Sequence, residues 1–322
     1  MILAKTGLTK IFFATDIHGS EVCFRKVVKA ASFYGVDVVV LGGDLTGKMI
    51  IPITRLREGG YQFYFRGKDI TLRTEEEVNK YQDEMKRLGF YIHIFSPEEG
   101  AALRKGEEQI ANLFRKLMIE RLEEWLLYAE RETKQVACEF YFMPGNDDGY
   151  FIDDVIANSK SFLNVDRSVR TIHGGYEMLS IGYSNSTPWH TPREKSEAEI
   201  GKDLNFLISQ VSMMDRCVFN IHVPPFNSGL DEAPALDEEL RVIYGPGGVS
   251  TRPVGSTAVR GAIESYQPLL GLFGHIHESR GCRKINRTFC INPGSVYFEG
   301  KLRGCIIALK DGKVANWQLV EG

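Results

Sequence analysis

Cysteine is sparse in this chain, and no two cysteines form a Cys-x-x-Cys pair; the six stand singly at 23, 138, 217, 282, 290 and 305. In a chain of 322 residues that pattern reads as reduced, mostly buried thiols of a cytoplasmic protein, not as a disulfide framework. Long hydrophobic runs are missing too. The apolar stretch near Lys5 and Lys10 is short and leads directly into a strand-like segment, so neither a signal peptide nor a membrane span is expected. An excess of one charge is also absent. A formal charge of −3 argues against a dedicated nucleic-acid coat protein, although it leaves room for a local basic patch. There is no internal repeat and no low-complexity tract. The balance, 43% hydrophobic and 25% charged, is that of a soluble globular protein. Its length suits one large domain with an insertion, or two domains.

What is present is a series of five short apolar runs, each ending on residues that bind metals. Lys10–Ala14 leads into Asp16-Ile17-His18, and Val36–Leu41 into Gly42-Gly43-Asp44. Phe140–Met143 leads into Gly145-Asn146-Asp147-Asp148. Cys217–Ile221 stops at His222, and Leu269–Phe273 at Gly274-His275-Ile276-His277. Buried runs followed by glycine and polar residues read as strands of a covered sheet. In open α/β sheets the site lies beyond the carboxyl ends of such strands.

Side chains at i and i+2 of an extended segment share a face, so Asp16 with His18, and His275 with His277, are expected to converge on one ion each. Asp44 has two oxygens and can bridge two ions, and Asn146 adds a neutral oxygen. A mixed oxygen and nitrogen set without thiolate suits Mn, Fe or Zn, with Co and Ni also fitting, better than Mg or Ca. Two such ions activate a shared water and clamp a phosphoryl oxygen. A centre with two divalent cations and two aspartates stays positive, so a small anionic phosphate ester is its natural guest.

The ordered series Asp-x-His, Gly-Asp, Gly-Asn-x-Asp, His, Gly-His-x-His, with Asn292-Pro293-Gly294-Ser295 after it, resembles the calcineurin-like metallophosphoesterase superfamily. The resemblance spans residues 16 to 277 and looks more like the prokaryotic phosphodiesterase-like branch than its other branches. It implies a four-layer α/β/β/α sandwich, with two facing mixed β-sheets flanked by helices. It also implies that Asp16, His18, Asp44 and His277 hold one metal, and that Asp44, Asn146, His222 and His275 hold the other. The implied reaction is in-line attack on a phosphate diester by a metal-bridging hydroxide. Many relatives carry His after the Gly-Asn pair, where it contacts phosphate; here that position is Asp147. A carboxylate there is repelled by phosphate unless protonated or held off, and a raised pKa would make Asp147 a general acid. Asp148 matches the family's acidic residue, which orients a neighbouring group such as His18. Asp147 and Asp148 are therefore the candidate catalytic carboxylates. The longer signatures of the serine/threonine phosphatase branch are missing: Leu45-Thr46-Gly47-Lys48 follows Asp44, and no Arg precedes Gly145.

The resemblance divides the chain into a first core part at 1–49, an insertion at 50–135 and a second core part at 136–322. In the insertion, Tyr61–Phe65 and Asp69–Leu72 read as a hairpin about Arg66-Gly67-Lys68. Glu75–Leu88 has helical spacing, and a long amphipathic pattern follows Glu99 to about Arg131, with Ile110, Leu113, Phe114, Leu117, Met118 and Leu126 as its stripe. The hairpin mixes arginines and lysines with Tyr61, Phe63, Tyr64 and Phe65. The favoured reading turns its aromatics inward against the long helix, ahead of a base-stacking cap. The helix stripe is expected to cover the core, with a homodimer contact as the second reading. Arg280, Arg283, Lys284 and Arg287 read as a solvated hairpin before they read as a steering patch. The loop Tyr183–Arg193 is expected near the site. Two other function classes stay open. A nuclease or a phosphomonoesterase would use the same centre, nucleic acid being the less favoured substrate, and a scaffold would keep the fold without turnover.

Overall fold

A computed structural model describes residues 7–99 and 106–322; the start of the predicted long helical pattern, at 100–105, lies outside them. Two six-stranded sheets face each other. The first contains β1 (Thr9–Ala14), β2 (Val38–Gly42), β7 (Glu139–Met143), β8 (Leu163–Asn164), β19 (Arg303–Lys310) and β20 (Lys313–Glu321), in the order β20-β19-β1-β2-β7-β8. The second contains β9 (Ser168–Ile172), β10 (Tyr176–Ile181), β11 (Cys217–Ile221), β16 (Leu270–Leu272), β17 (Gly281–Ile285) and β18 (Thr288–Asn292), in the order β17-β18-β16-β11-β10-β9. Both are mixed. β1, β2, β7 and β8 run parallel, as do β10, β11, β16 and β18, while the outer strands return antiparallel.

Strand alternation builds the layers. From the first sheet, Ile11, Phe13, Val38 and Val40 point inward to meet Met178, Val218, Leu270 and Ile291 of the second. Their neighbours Phe12, Val39, Leu41 and Phe142 point outward, under α1 (Glu21–Tyr34) and α3 (Glu107–Thr133). On the far side Leu179, Phe219 and Ile221 meet α5 (Glu197–Ile208) and α6 (Thr257–Tyr266). A short α4 (Ile152–Ala157) completes the first outer layer. The strands thus read as continuous apolar runs because both of their faces are covered. This is the expected mixed α/β fold, with helices packed on the outer face of each sheet. All six cysteines are unpaired, and four of them are buried.

Between β2 and β7 the chain makes a separate four-stranded sheet, β5-β4-β3-β6, from β3 (Ile50–Arg55), β4 (Tyr61–Phe65), β5 (Lys68–Leu72) and β6 (Tyr91–Phe95). The expected hairpin is β4–β5, turning at Arg66 (φ 49°) and Gly67 (φ 80°), as a two-residue turn with two positive φ angles requires. Its inward aromatics do not meet the long helix. Tyr61 and Phe63 pack with Val78 and Met85 of α2 (Glu75–Arg87), the shorter helix, because α2 lies directly across this sheet.

Of the stripe expected on the long helix α3, Leu126 packs against the core while Ile110 is exposed, and the residues the core buries are others. Leu122, Trp125, Tyr128 and Ala129 are buried in the core layer, where Trp125 stacks on Phe24 with ring centroids 4.3 Å apart. Phe114 and Met118, nearer its start, line the cavity described below. The inserted unit also braces the site from behind. Tyr91 Oη accepts from Gly47 N at 3.1 Å, and Arg121 Nη1 donates to Gly19 O at 3.0 Å. Gly89 approaches the His18 carbonyl too closely to admit a Cβ.

Candidate metal centre

All seven donors expected from the sequence come together at the carboxyl ends of the two sheets. Asp16 and His18 follow β1, Asp44 follows β2, and Asn146 follows β7. His222 follows β11, and His275 with His277 follows β16. Asp16, His18, Asp44, Asn146 and His222 are buried, while His275 and His277 are half-buried at the cavity wall.

Convergence does not arise as expected. Asp16 (φ 55°), His18 (φ 39°), Asp44 (φ 50°) and His275 (φ 66°) all lie in the left-handed region, so extended alternation is not what aligns them. His275 is the middle of a three-residue turn in which Ile276 N donates to Gly274 O at 2.7 Å. Such conformations cost on the order of 1–3 kcal/mol each and persist only where the surroundings impose them. Here the imposing contacts are explicit. Asp16 N and His18 N donate to Gly43 O and Asp44 O at 3.0 Å, and Gly274 N donates to His222 O at 2.9 Å. Gly43, at φ 122°, leaves no room for a Cβ against the His222 ring.

The donors form two sets that share Asp44. In the first, His18 Nε2 is 3.0 Å from His277 Nε2 and 3.6 Å from Asp44 Oδ2, and His277 Nε2 is 3.4 Å from Asp16 Oδ1. In the second, Asn146 Oδ1 is 3.0 Å from His222 Nε2 and 2.7 Å from His275 Nδ1, and His222 Nε2 is 3.4 Å from Asp44 Oδ2. Two atoms each about 2.1 Å from one ion, at tetrahedral to octahedral angles, stand roughly 3.0–3.4 Å apart. The measured separations centre on that range, so the donor chemistry and spacing fit two divalent ions. His222 Nδ1 faces Gly42 O at 3.1 Å, which fixes its tautomer when neutral and turns Nε2 to the centre.

Electrostatics follow from burial. Burial pushes Asp44 up, but His222 and His18 outweigh it and hold the carboxyl well below its usual range. Asp16 is lowered in the same way, with His277 and His222 overcoming burial. Burial lowers His18, and together with the His222 charge it brings His275 down to about 4. His222 goes the other way: burial lowers it, yet Asp44 and Asp16 raise it to about 9.

The two acidic neighbours part company. Asp148 is fully buried and does not orient His18. Its carboxylate accepts from Leu45 N (2.9 Å), Thr46 N (2.9 Å), Thr46 Oγ1 (2.7 Å) and Gly145 N (2.8 Å), pinning the Asp44 loop to the Asn146 loop. Burial and then Asp44 raise its pKa against those donors. Asp147 lines the cavity, 3.8 Å from His18 Nδ1, a buried nitrogen without a hydrogen-bond partner. Burial first, then Asp44, pushes Asp147 up to about 6, although Lys48 opposes them through an ion pair.

Sequence reasoning passed over several residues. Lys48, four positions beyond Asp44, lines the cavity and pairs with Asp147; burial lowers its pKa, but Asp44 and Asp147 raise it further. Tyr297 lies over His18 with ring centroids 4.7 Å apart. Arg193, 1% exposed, donates from Nε to Asp148 O at 2.7 Å and pairs with Asp153 at 2.6 Å. Asn292 and Ser295 of the Asn-Pro-Gly-Ser segment secure the histidine turn: Asn292 Nδ2 donates to Ile276 O at 2.9 Å and Ser295 Oγ to Asp16 O at 2.7 Å. Only Asn292 and Ser295 carried a signal, through their place in the motif series.

The centre forms the floor of a cavity of about 750 Å³. The loop Tyr183–Arg193 reaches it through Pro188, Trp189 and Thr191, while His190 is exposed. The basic group Arg280, Arg283, Lys284 and Arg287 belongs to the exposed β17–β18 hairpin, and among the described residues the cations lining the cavity are Lys48 and Arg252.

Fold and constellation together agree with the resemblance to calcineurin-like metallophosphoesterases seen in the sequence. More particularly, it belongs with an uncharacterized protein of Methanocaldococcus jannaschii, MJ1162. The two are 33% identical over 197 residues, which is 60% of this chain and 78% of that protein. Among solved structures, the protein TT1561 of Thermus thermophilus matches with a TM-score of 0.55 at 14% identity, covering 98% of this chain and 99% of that one. A second solved chain matches with a TM-score of 0.58, also at 14% identity and with the same coverage. Those likenesses speak for the fold. No family model matches the chain. Among the described residues no helix is long and apolar enough to cross a membrane.

Proposed function

We propose that the chain is a dimetal phosphoesterase acting on phosphate diesters. The observation that carries this reading is the sharing of Asp44 by two donor sets on the floor of one cavity. Asp16, His18, Asp44 and His277 would hold one ion, and Asp44, Asn146, His222 and His275 the other, with manganese, iron or zinc favoured by the mixed donors. Two ions so held supply an activated water and a clamp for the phosphoryl oxygens.

The remaining steps fall to the chain's own side chains. Where many relatives place a histidine against phosphate, this chain places Asp147, which alone would repel the substrate. Lys48 restores a positive charge at that place, and Asp147 orients it through their ion pair. We assign Lys48 the contact to a non-bridging oxygen. Asp147 faces the cavity, and a proton on its carboxyl, which burial and Asp44 favour, would be placed to serve the leaving group. Asp148 is a positioning residue that keeps Asp44 and Asn146 in register.

The test is hydrolysis of an aryl phosphodiester and its matching monoester by stripped protein reloaded separately with Mn²⁺, Zn²⁺, Fe²⁺ or Mg²⁺. Metal-dependent turnover favouring the diester is expected. Preference for the monoester would overturn the substrate class, and no turnover with any ion would favour a scaffold.

A further inference from the structure

The cavity is lopsided. Its floor carries the metal-binding side chains with Lys48 and Asp147, whereas the wall is mostly apolar and carries the charged Arg252. Six residues dominate that wall: Phe114 and Met118 from α3, Trp189 from the loop after β10, and Leu236, Leu240 and Val242 from the excursion between β11 and α6. The excursion consists of two small ribbons. One pairs β12 (Glu232–Pro234) with β15 (Thr251–Pro253), and the other pairs β13 (Tyr244–Gly245) with β14 (Gly248–Val249). Its apolar side chains are not folded inward. Leu240 is 47% exposed, Val242 38% and Trp189 64%, and exposed Ile243 and Tyr244 extend the surface past the rim. A contiguous apolar surface left open to water beside a polar site marks a place for an apolar ligand.

Apart from the Arg252 guanidinium, the wall offers little to a nucleobase. Of the six, only the Trp189 indole carries a hydrogen-bonding group. On the same side the hydroxyls of Thr187 and Thr191 are already committed to Glu194 Oε1, at 2.6 and 2.7 Å. A base edge buried here would lack partners, which costs affinity, whereas an alkyl chain gains by leaving water. Resting on the diesterase reading above, we propose that the substrate is an amphipathic phosphodiester. Its phosphate sits on the floor and its alkyl arm lies between α3 and the two ribbons.

The proposal is tested with 4-nitrophenyl alkyl phosphates from methyl to hexyl on metal-reloaded protein. Full burial of a methylene is worth roughly three- to fourfold, so kcat/KM should rise at least about tenfold across the series. The variants Leu240→Asp and Val242→Asp lie on the exposed ribbons, outside the metal centre. Each should flatten the rise. A second readout needs no turnover: hexylphosphonate, but not methylphosphonate, should shift tryptophan emission to the blue, and Trp189→Phe should abolish the shift. Turnover independent of chain length, with no emission shift, would sink the apolar-arm proposal and leave the diesterase reading standing. No turnover with any metal, but a saturable shift with hexylphosphonate, would sink the diesterase reading and keep the apolar cleft.

Discussion

Metal binding at this centre should release a proton, and His222 is its source. With no ion present, His18 and His275 are held neutral and Asp16 and Asp44 ionised, while His222 stays protonated to about pH 9. Burial opposes that charge, but Asp44 Oδ2 at 3.4 Å and Asp16 Oδ1 at 3.9 Å sustain it. An ion needs the Nε2 lone pair, so the proton must leave first. At pH 7 the group lies about two units below its value, and deprotonation costs roughly 3 kcal/mol, on the order of a hundredfold in affinity. Affinity for the second ion should therefore climb about tenfold per pH unit between pH 6.5 and 8, levelling off near 9. The sign for stability is the reverse. A value raised above the ordinary 6.5 contributes fully below that pH, and its contribution is lost as pH rises through about 9. Metal-free protein should lose this stabilisation across that window, and loaded protein should not. Calorimetric titration of stripped protein in buffers of different ionisation enthalpy reads the protons directly. Close to one proton per centre loaded with two ions at pH 7 is expected; pH-independent affinity with no proton release would refute the reasoning.

Three further outcomes follow from particular contacts. Asp148→Asn exchanges one accepting oxygen for a donor facing other donors, leaving about two of four hydrogen bonds unmade. It should cost about 3 kcal/mol and lower Tm by roughly 5–10 °C, and an unchanged melting curve would remove Asp148 from its positioning role. Lys48→Met should leave metal content intact yet lower kcat/KM for an aryl diester by roughly 10²-fold, with Lys48→Arg recovering part of it; undiminished kcat/KM in Lys48→Met would exclude a phosphate contact. Asp44→Asn should bind fewer ions by metal analysis and lose most turnover, because both donor sets lose a shared anionic ligand; full occupancy and full activity would undo the assignment.

Much of this protein was legible from its order of residues. Five apolar runs ending on donors implied strands of a covered sheet with a site beyond them, because strands covered on both faces must be apolar throughout and ligands must follow where the chain leaves the sheet. The hairpin at Arg66-Gly67 was equally local, since two positive φ angles need such residues. Other features were not written in any window. The partner of the hairpin aromatics depended on which helix lay across the small sheet, and the sequence pattern suits α2 and α3 equally. The left-handed backbone at Asp16, His18, Asp44 and His275 is imposed by hydrogen bonds between loops far apart in sequence. Asp148 spans 103 positions to Leu45 N, and Lys48 reaches Asp147 across a similar distance. The sequence by itself determined the donors, the strand ends that carry them and the class of chemistry they suit, because these depend on residue type and near spacing. Only the tertiary structure decided how close the donors stand to one another, which acid faces the cavity, and that a largely apolar wall rises beside the charged floor. Those depend on distances between segments that the linear order does not encode.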